Sequence, residues 1–149
     1  MTIEFGTAAL HSASRQTSRL LIVPIALAVM ISGCGRTDAL TAWQRARSGS
    51  VDVVWLSARG AMRHGRDELV IEFRSIGDGK LVDVHDPRAT ATMPMPGMPM
   101  FGSINITPTE TPGRYIADAQ LGMAGTWRFN LQWQGSEGTS SVGFSAAVQ

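Results

Sequence analysis

The chain of 149 residues contains one cysteine and one tyrosine. A lone cysteine forms no intrachain disulfide, so no disulfide framework staples this fold. Charge of one sign is also missing. The formal net charge is +1 and no basic run occurs, which removes the electrostatic footprint of a nucleic-acid-binding protein. No segment of helical periodicity has useful length, and no internal repeat is seen. The sequence has neither a G-x-S-x-G elbow nor an H-E-x-x-H pair. Asp83 and Asp86 flank His85, but nothing beside them implies a nucleophile or an activated water. A non-enzyme is therefore expected.

Long hydrophobic runs are absent too. LLIVPIALAVMI (20–31) falls short of the about 20 residues that cross a bilayer as a helix. Its length, with Arg15 and Arg19 before it, suits the apolar region of a secretory signal. It runs into Ile31, Ser32, Gly33 and Cys34. This resembles the bacterial lipobox, an aliphatic residue and two small ones before a cysteine. The resemblance implies a signal peptide over 1–33, cleavage before Cys34, and acylation of Cys34, leaving no free thiol. Each buried methylene contributes about 0.8 kcal/mol, so several acyl chains anchor stably. The expected location is the periplasmic face of a bacterial membrane, either inner or outer. Gly35 follows the cysteine where Asp would favour inner-membrane retention. Without Arg15, Arg19 and Glu4, the totals of 13 basic and 12 acidic residues become eleven of each. The exported part is thus neutral overall.

What the chain does have is turn chemistry and alternation. Seven prolines and sixteen glycines are spread along it, as in a turn-rich β protein. GRTDALTAWQRARSGS (35–50) is polar apart from Leu40 and Trp43 and is expected to be a tether with one helical turn. From Val51 onward short runs read as strands: VDVVWLSA (51–58), DELVIEF (67–73), LVDVHD (81–86), ATATM (89–93), SINIT (103–107), RYIADAQL (114–121), GTWRFNLQWQ (125–134) and SVGFSAAV (141–148). In the clearest, Trp127, Phe129, Leu131 and Trp133 share one face. GDGK, TPG and GSEG supply turns. The expected fold is all-β: an immunoglobulin-like sandwich of about seven strands over 51–149, one face of each strand buried. The four tryptophans are too scattered for a ligand cage and are expected in core and tether.

The unusual segment is MPMPGMPM (93–100), with four of the eight methionines. Thioether sulfur is soft and uncharged, so it prefers Cu(I) to Zn(II) or Mg(II). Prolines keep the segment extended and out of a regular ladder. In a β-like segment Met93 pairs with Met95 and Met98 with Met100, and a bend at Gly97 brings the pairs together. Met123, ahead of Trp127, is a fifth sulfur if the two loops share one end of the sandwich. The competing reading is packing, because methionine is a flexible apolar filler and a good adaptable contact surface. His85 lies out of phase with Val82 and Val84, so it is expected in solvent, as an accessory metal ligand at most. His64, in the turn RHGRD, is expected in solvent.

The order of features, MPMPGMPM, then Gly113-Arg114-Tyr115, then LGMAGTW (121–127), resembles the YtkA-like domain, which is related to FixH-like proteins and to domains of heavy-metal efflux adaptors. The resemblance runs over about 67–148 and implies an immunoglobulin-like sandwich. Members often carry histidine within the Met/Gly segment, and here none follows His85. Two functions remain open. One is a lipid-anchored protein that binds Cu(I) through Met93, Met95, Met98, Met100 and Met123 and delivers it to a membrane partner. The other is a metal-free module that docks on an envelope complex such as an efflux or oxidase assembly.

Overall fold

The structure, a computed structural model, describes residues 39–149. The expected signal segment and the acylated Cys34 lie outside the described residues. Alternating apolar residues become strands, as the period of two requires. They are β1 (Thr41–Ser48), β2 (Val51–Ser57), β3 (Gly65–Ser75), β4 (His85–Met93), β5 (Met100–Pro108), β6 (Arg114–Leu121), β7 (Gly125–Gly135) and β8 (Gly138–Val148). Every neighbouring pair is antiparallel, in the order β1-β2-β3-β6-β5-β4-β7-β8. β5 divides its pairing: residues 103–108 bond to β6, while Met100, Phe101 and Gly102 oppose Met93, Thr92 and Ala91 of β4. The sheet therefore folds over at β5 into two leaves.

The leaves enclose the apolar faces. Val53, Trp55, Leu69, Ile71, Phe73, Ala117 and Leu121 come from one leaf; Trp127, Phe129, Leu131 and Trp133 come from the other, and all are buried. Gly102 sits where the sheet turns: a Cβ there would lie 2.2 Å from Leu121 Cδ2. Among the described residues the eight strands and the core cluster fall between Thr41 and Gln149, so this segment carries its own core.

Two sequence expectations need correction. The tether expected over 35–50 is a strand from Thr41 to Ser48. The register shifts between Ala42 and Gln44, and such a bulge re-aims a side chain. The residue in the bulge is Trp43, whose ring meets Phe129 at 5.4 Å and Phe144 at 6.0 Å. Trp43 thus packs against the core, and with β1 the sandwich has eight strands where about seven were expected, LVDVHD not among them. LVDVHD is not a strand. Leu81 makes one bridge to Arg74, residues 82–84 cross between leaves, and His85 and Asp86, the latter at φ 49°, open β4. The crossing segment's carbonyls are used locally: Tyr115 donates its hydroxyl hydrogen to the Val84 carbonyl. Gly113, at φ +79°, packs so closely that a Cβ would lie 2.6 Å from the Val82 oxygen.

Because neighbours are antiparallel, the connections alternate between two ends of the sandwich. One end, the entry end, gathers the start of β1 and the loops 58–64, 94–99 and 122–124. The far end gathers loops 49–50, 76–84, 109–113 and 136–137. Toward the far end a buried polar lock spans β3 and β6. Glu72 is 1% exposed although it points away from the core. Its Oε2 accepts from Arg74 Nε at 2.9 Å, and its Oε1 accepts from Arg114 Nε at 2.9 Å. Burial alone pushes this carboxyl up; the hydrogen bonds from Arg114 and Arg74, aided by their charges, more than reverse that and hold it below 4.5. Burial, with the charge of Asp83, pushes the Tyr115 hydroxyl above its ordinary value.

Candidate metal site

The methionine segment is a β-hairpin. Met93 ends β4, Met100 begins β5, and the two are register partners. Between them Pro96 and Gly97 form the turn, with Gly97 at φ +81°. Proline then glycine with positive φ is the signature of a type II turn, whose flanking Cα atoms lie within about 7 Å. Those flanking residues are Met95 and Met98. The bend expected at Gly97 is present.

The neighbouring loop, 122–124, fits against this hairpin through its glycines. A Cβ on Gly125 would lie 2.7 Å from Met93 Cε and 3.7 Å from the Met93 sulfur. A Cβ on Gly122 would lie 3.1 Å from Met100 Cε. The two glycines of LGMAGTW therefore leave the space that two methionine ends occupy. Between them the Met123 carbonyl accepts a hydrogen bond from Trp127 Nε1 at 3.0 Å, which ties the loop to the core. The structure thus brings Met93, Met95, Met98, Met100 and Met123 to one end of the sandwich.

It does not give them one environment. Met93 is 7% exposed and belongs to the core, and Met100 packs partly against it. Met95 and Met123 are each 40% exposed, and Met98 is 73% exposed. Met93 therefore packs in the core at the base of the hairpin. The methionines of this end that are open to solvent are Met95, Met98 and Met123, while Met100 is partly buried. The segment is thus divided: its strand ends pack and its turn is exposed.

His85 does not join this group. It is exposed at the start of β4, with seven residues of strand between it and Met93, about 25 Å. The expectation of an accessory histidine is corrected by that separation: a strand cannot bring its two ends together. His64 lies at the entry end, where its backbone nitrogen donates to the Gln149 carbonyl at 2.7 Å. Among the described residues no three of His, Cys, Asp and Glu come together; the hairpin and the loop 122–124 offer thioethers, which suit a soft monovalent ion and not a hard divalent one. Sequence reasoning missed Phe101, which is 75% exposed beside the hairpin. The signal was available, since Phe101 alternates out of phase with the inward-facing Met100.

A search of curated protein sequences found no match. Among solved structures, the selenomethionine form of PcoC, a copper resistance protein from Escherichia coli, is similar over 60% of this chain and 89% of its own, with 16% identity and a TM-score of 0.42. The family model described as YtkA-like matches residues 46–132. That match takes in β2 to β6, the methionine hairpin, the Gly113-Arg114-Tyr115 step and most of β7, more than half of the sequence, and the chain belongs to the YtkA-like family.

Proposed function

We propose that this protein is a lipid-anchored, non-enzymatic periplasmic protein that binds Cu(I) at its entry end and passes it to a membrane partner. The observation that carries this reading is the hairpin turn, which holds Met95 and Met98 at its two ends, exposed, beside the exposed Met123. Thioethers keep their lone pairs at every pH and form no disulfides in an oxidising compartment, so such a site works where cysteine would not. A cluster of a few neutral sulfurs with no carboxylate or imidazole gives a site from which an ion also leaves readily. That suits transfer more than storage. The anchor at Cys34 and the export signal are supported by the sequence pattern ahead of the domain.

The test is a competition titration of residues 35–149 against a chromophoric Cu(I) chelator under reducing, anaerobic conditions. The variant changes Met95, Met98 and Met123 together to Leu. All three side chains are at least 40% exposed, so the core is untouched. The wild type removes copper from the chelator and the variant does not. Equal behaviour of the two proteins rejects the reading.

A further inference from the structure

The two ends of the sandwich differ in charge and in apolar exposure, and the difference aligns with where the chain enters. At the far end the connecting loops carry Asp78, Asp83, Glu110 and Glu137 against a single Lys80. At the entry end the loops carry Arg59 and Arg63 with no acidic residue; Arg66 follows at the start of β3, with Asp67 and the exposed Glu68 after it. Arg59 is held by Asp67 at 2.7 Å; Arg63 and Arg66 are exposed. Of the large exposed apolar side chains among the described residues, Leu40, Met95, Met98, Phe101 and Met123 lie at or beside this same end, and Ile76 alone lies at the far end. Phe101 offers no metal donor, so copper binding leaves its exposure unexplained.

Chain length adds a direction. Thr41 opens β1 at the entry end, seven residues after Cys34. Seven residues reach at most about 25 Å. An acyl group on Cys34 therefore holds a bilayer within about 25 Å of the chain's entry point, and the apolar, basic end is the one it meets. We propose that the entry end is a membrane-docking surface: Phe101, Met98 and Met95 insert into the headgroup boundary of an anionic bilayer, and Arg63 and Arg66 contact its phosphates. The inference rests on the lipid anchor of the reading above for the direction of approach, and not on copper.

Insertion of exposed aromatic and thioether side chains removes apolar surface from water, and basic residues add attraction to anionic lipid that salt screens. The acidic far end is repelled by the same surface, which fixes the orientation. Tethering makes the contact intramolecular, so a weak intrinsic affinity suffices.

The test uses residues 35–149 without lipid, which include every strand and the whole core, and vesicles mixing phosphatidylglycerol with phosphatidylethanolamine. Cosedimentation gives the partition coefficient. Phe101→Asp lowers it about tenfold or more, from the apolar area withheld and the charge added. Phe101→Trp raises it, and this second variant keeps the test decisive if the first folds poorly. Arg63→Gln with Arg66→Gln weakens binding to these vesicles but not the weaker binding to phosphatidylcholine. The proposal is overturned if the wild type does not partition, or if Phe101→Asp partitions equally. It is also overturned if the patch instead joins two copies of the domain, seen as a dimer that Phe101→Asp dissolves without any vesicle effect. Failure of the anchor itself is read separately, as a Cys34 peptide without acyl mass in protein extracted from membranes.

Discussion

The far end and the entry end both use glycine to admit a close neighbour, and they put it to different uses. At the far end Gly113 admits the Val82 backbone, and Tyr115 and Arg114 on either side of the same strand complete a buried polar lock. At the entry end Gly125 and Gly122 admit only the tips of Met93 and Met100. A backbone contact cannot yield, whereas a methionine end can. One end is rigid and satisfied, and the other is compliant, apolar and exposed. A fold that fixes one end can leave the opposite end free for binding.

The largest effect is expected from breaking the rigid end. Arg114→Met removes one of the two guanidinium forks from the buried Glu72 carboxylate. Losing a partner of a buried pair costs roughly 3 kcal/mol, less to the extent that solvent reaches the exposed arginine side. Urea unfolding at neutral pH measures it, and Cu(I) affinity should stay unchanged. Next comes the glycine pair. Gly113→Ala meets backbone and an unfavourable φ and should cost about 2–3 kcal/mol. Gly125→Ala is also at a positive φ, +142°, but meets only a flexible methionine end and should cost less, while moving Met93. Equal losses at the two sites would contradict the contrast between the ends.

A smaller effect follows from pH. The carboxyl of Glu72 is held below its ordinary value. A depressed carboxylate stabilises the fold fully above its unfolded value of 4.5, and that contribution is lost as pH falls through the lower folded value. Wild-type stability should therefore decline in acid below 4.5, and the decline should be shallower in Arg114→Met. Urea midpoints across that range decide it. The smallest stability effect belongs to Met95→Leu with Met98→Leu. These exposed, volume-conserving changes should stay within about 0.5 kcal/mol while removing copper binding.

Alternation made most strands readable before the structure. RYIADAQL is β6 residue for residue, and Trp127 to Trp133 alternate inward as expected. The first strand was hidden because its outward residues are polar and its one large apolar side chain, Trp43, enters the core through a bulge that a strict period of two does not anticipate. LVDVHD alternates like a strand, but pairing needs a partner at hydrogen-bonding distance, and this segment spends its groups on Phe73, Gly113 and Tyr115 while crossing between leaves. Glu72 reads as a solvent residue beside Ile71 and Phe73; only its neighbours' guanidiniums bury it. At the site, the chemistry of the methionines was legible, whereas their division into packing and presenting residues depends on where the hairpin closes. The neutral charge balance also concealed the polarity of the ends, which exists only once the loops are sorted by strand direction.

The most direct test of the account is a methionine-methyl NMR titration of residues 35–149 with Cu(I) under anaerobic conditions. The account predicts that the resonances of Met95, Met98 and Met123 shift together and saturate, while fully buried Met62 stays in place. No shift in those three, or movement of His85 at the far end instead, would contradict it.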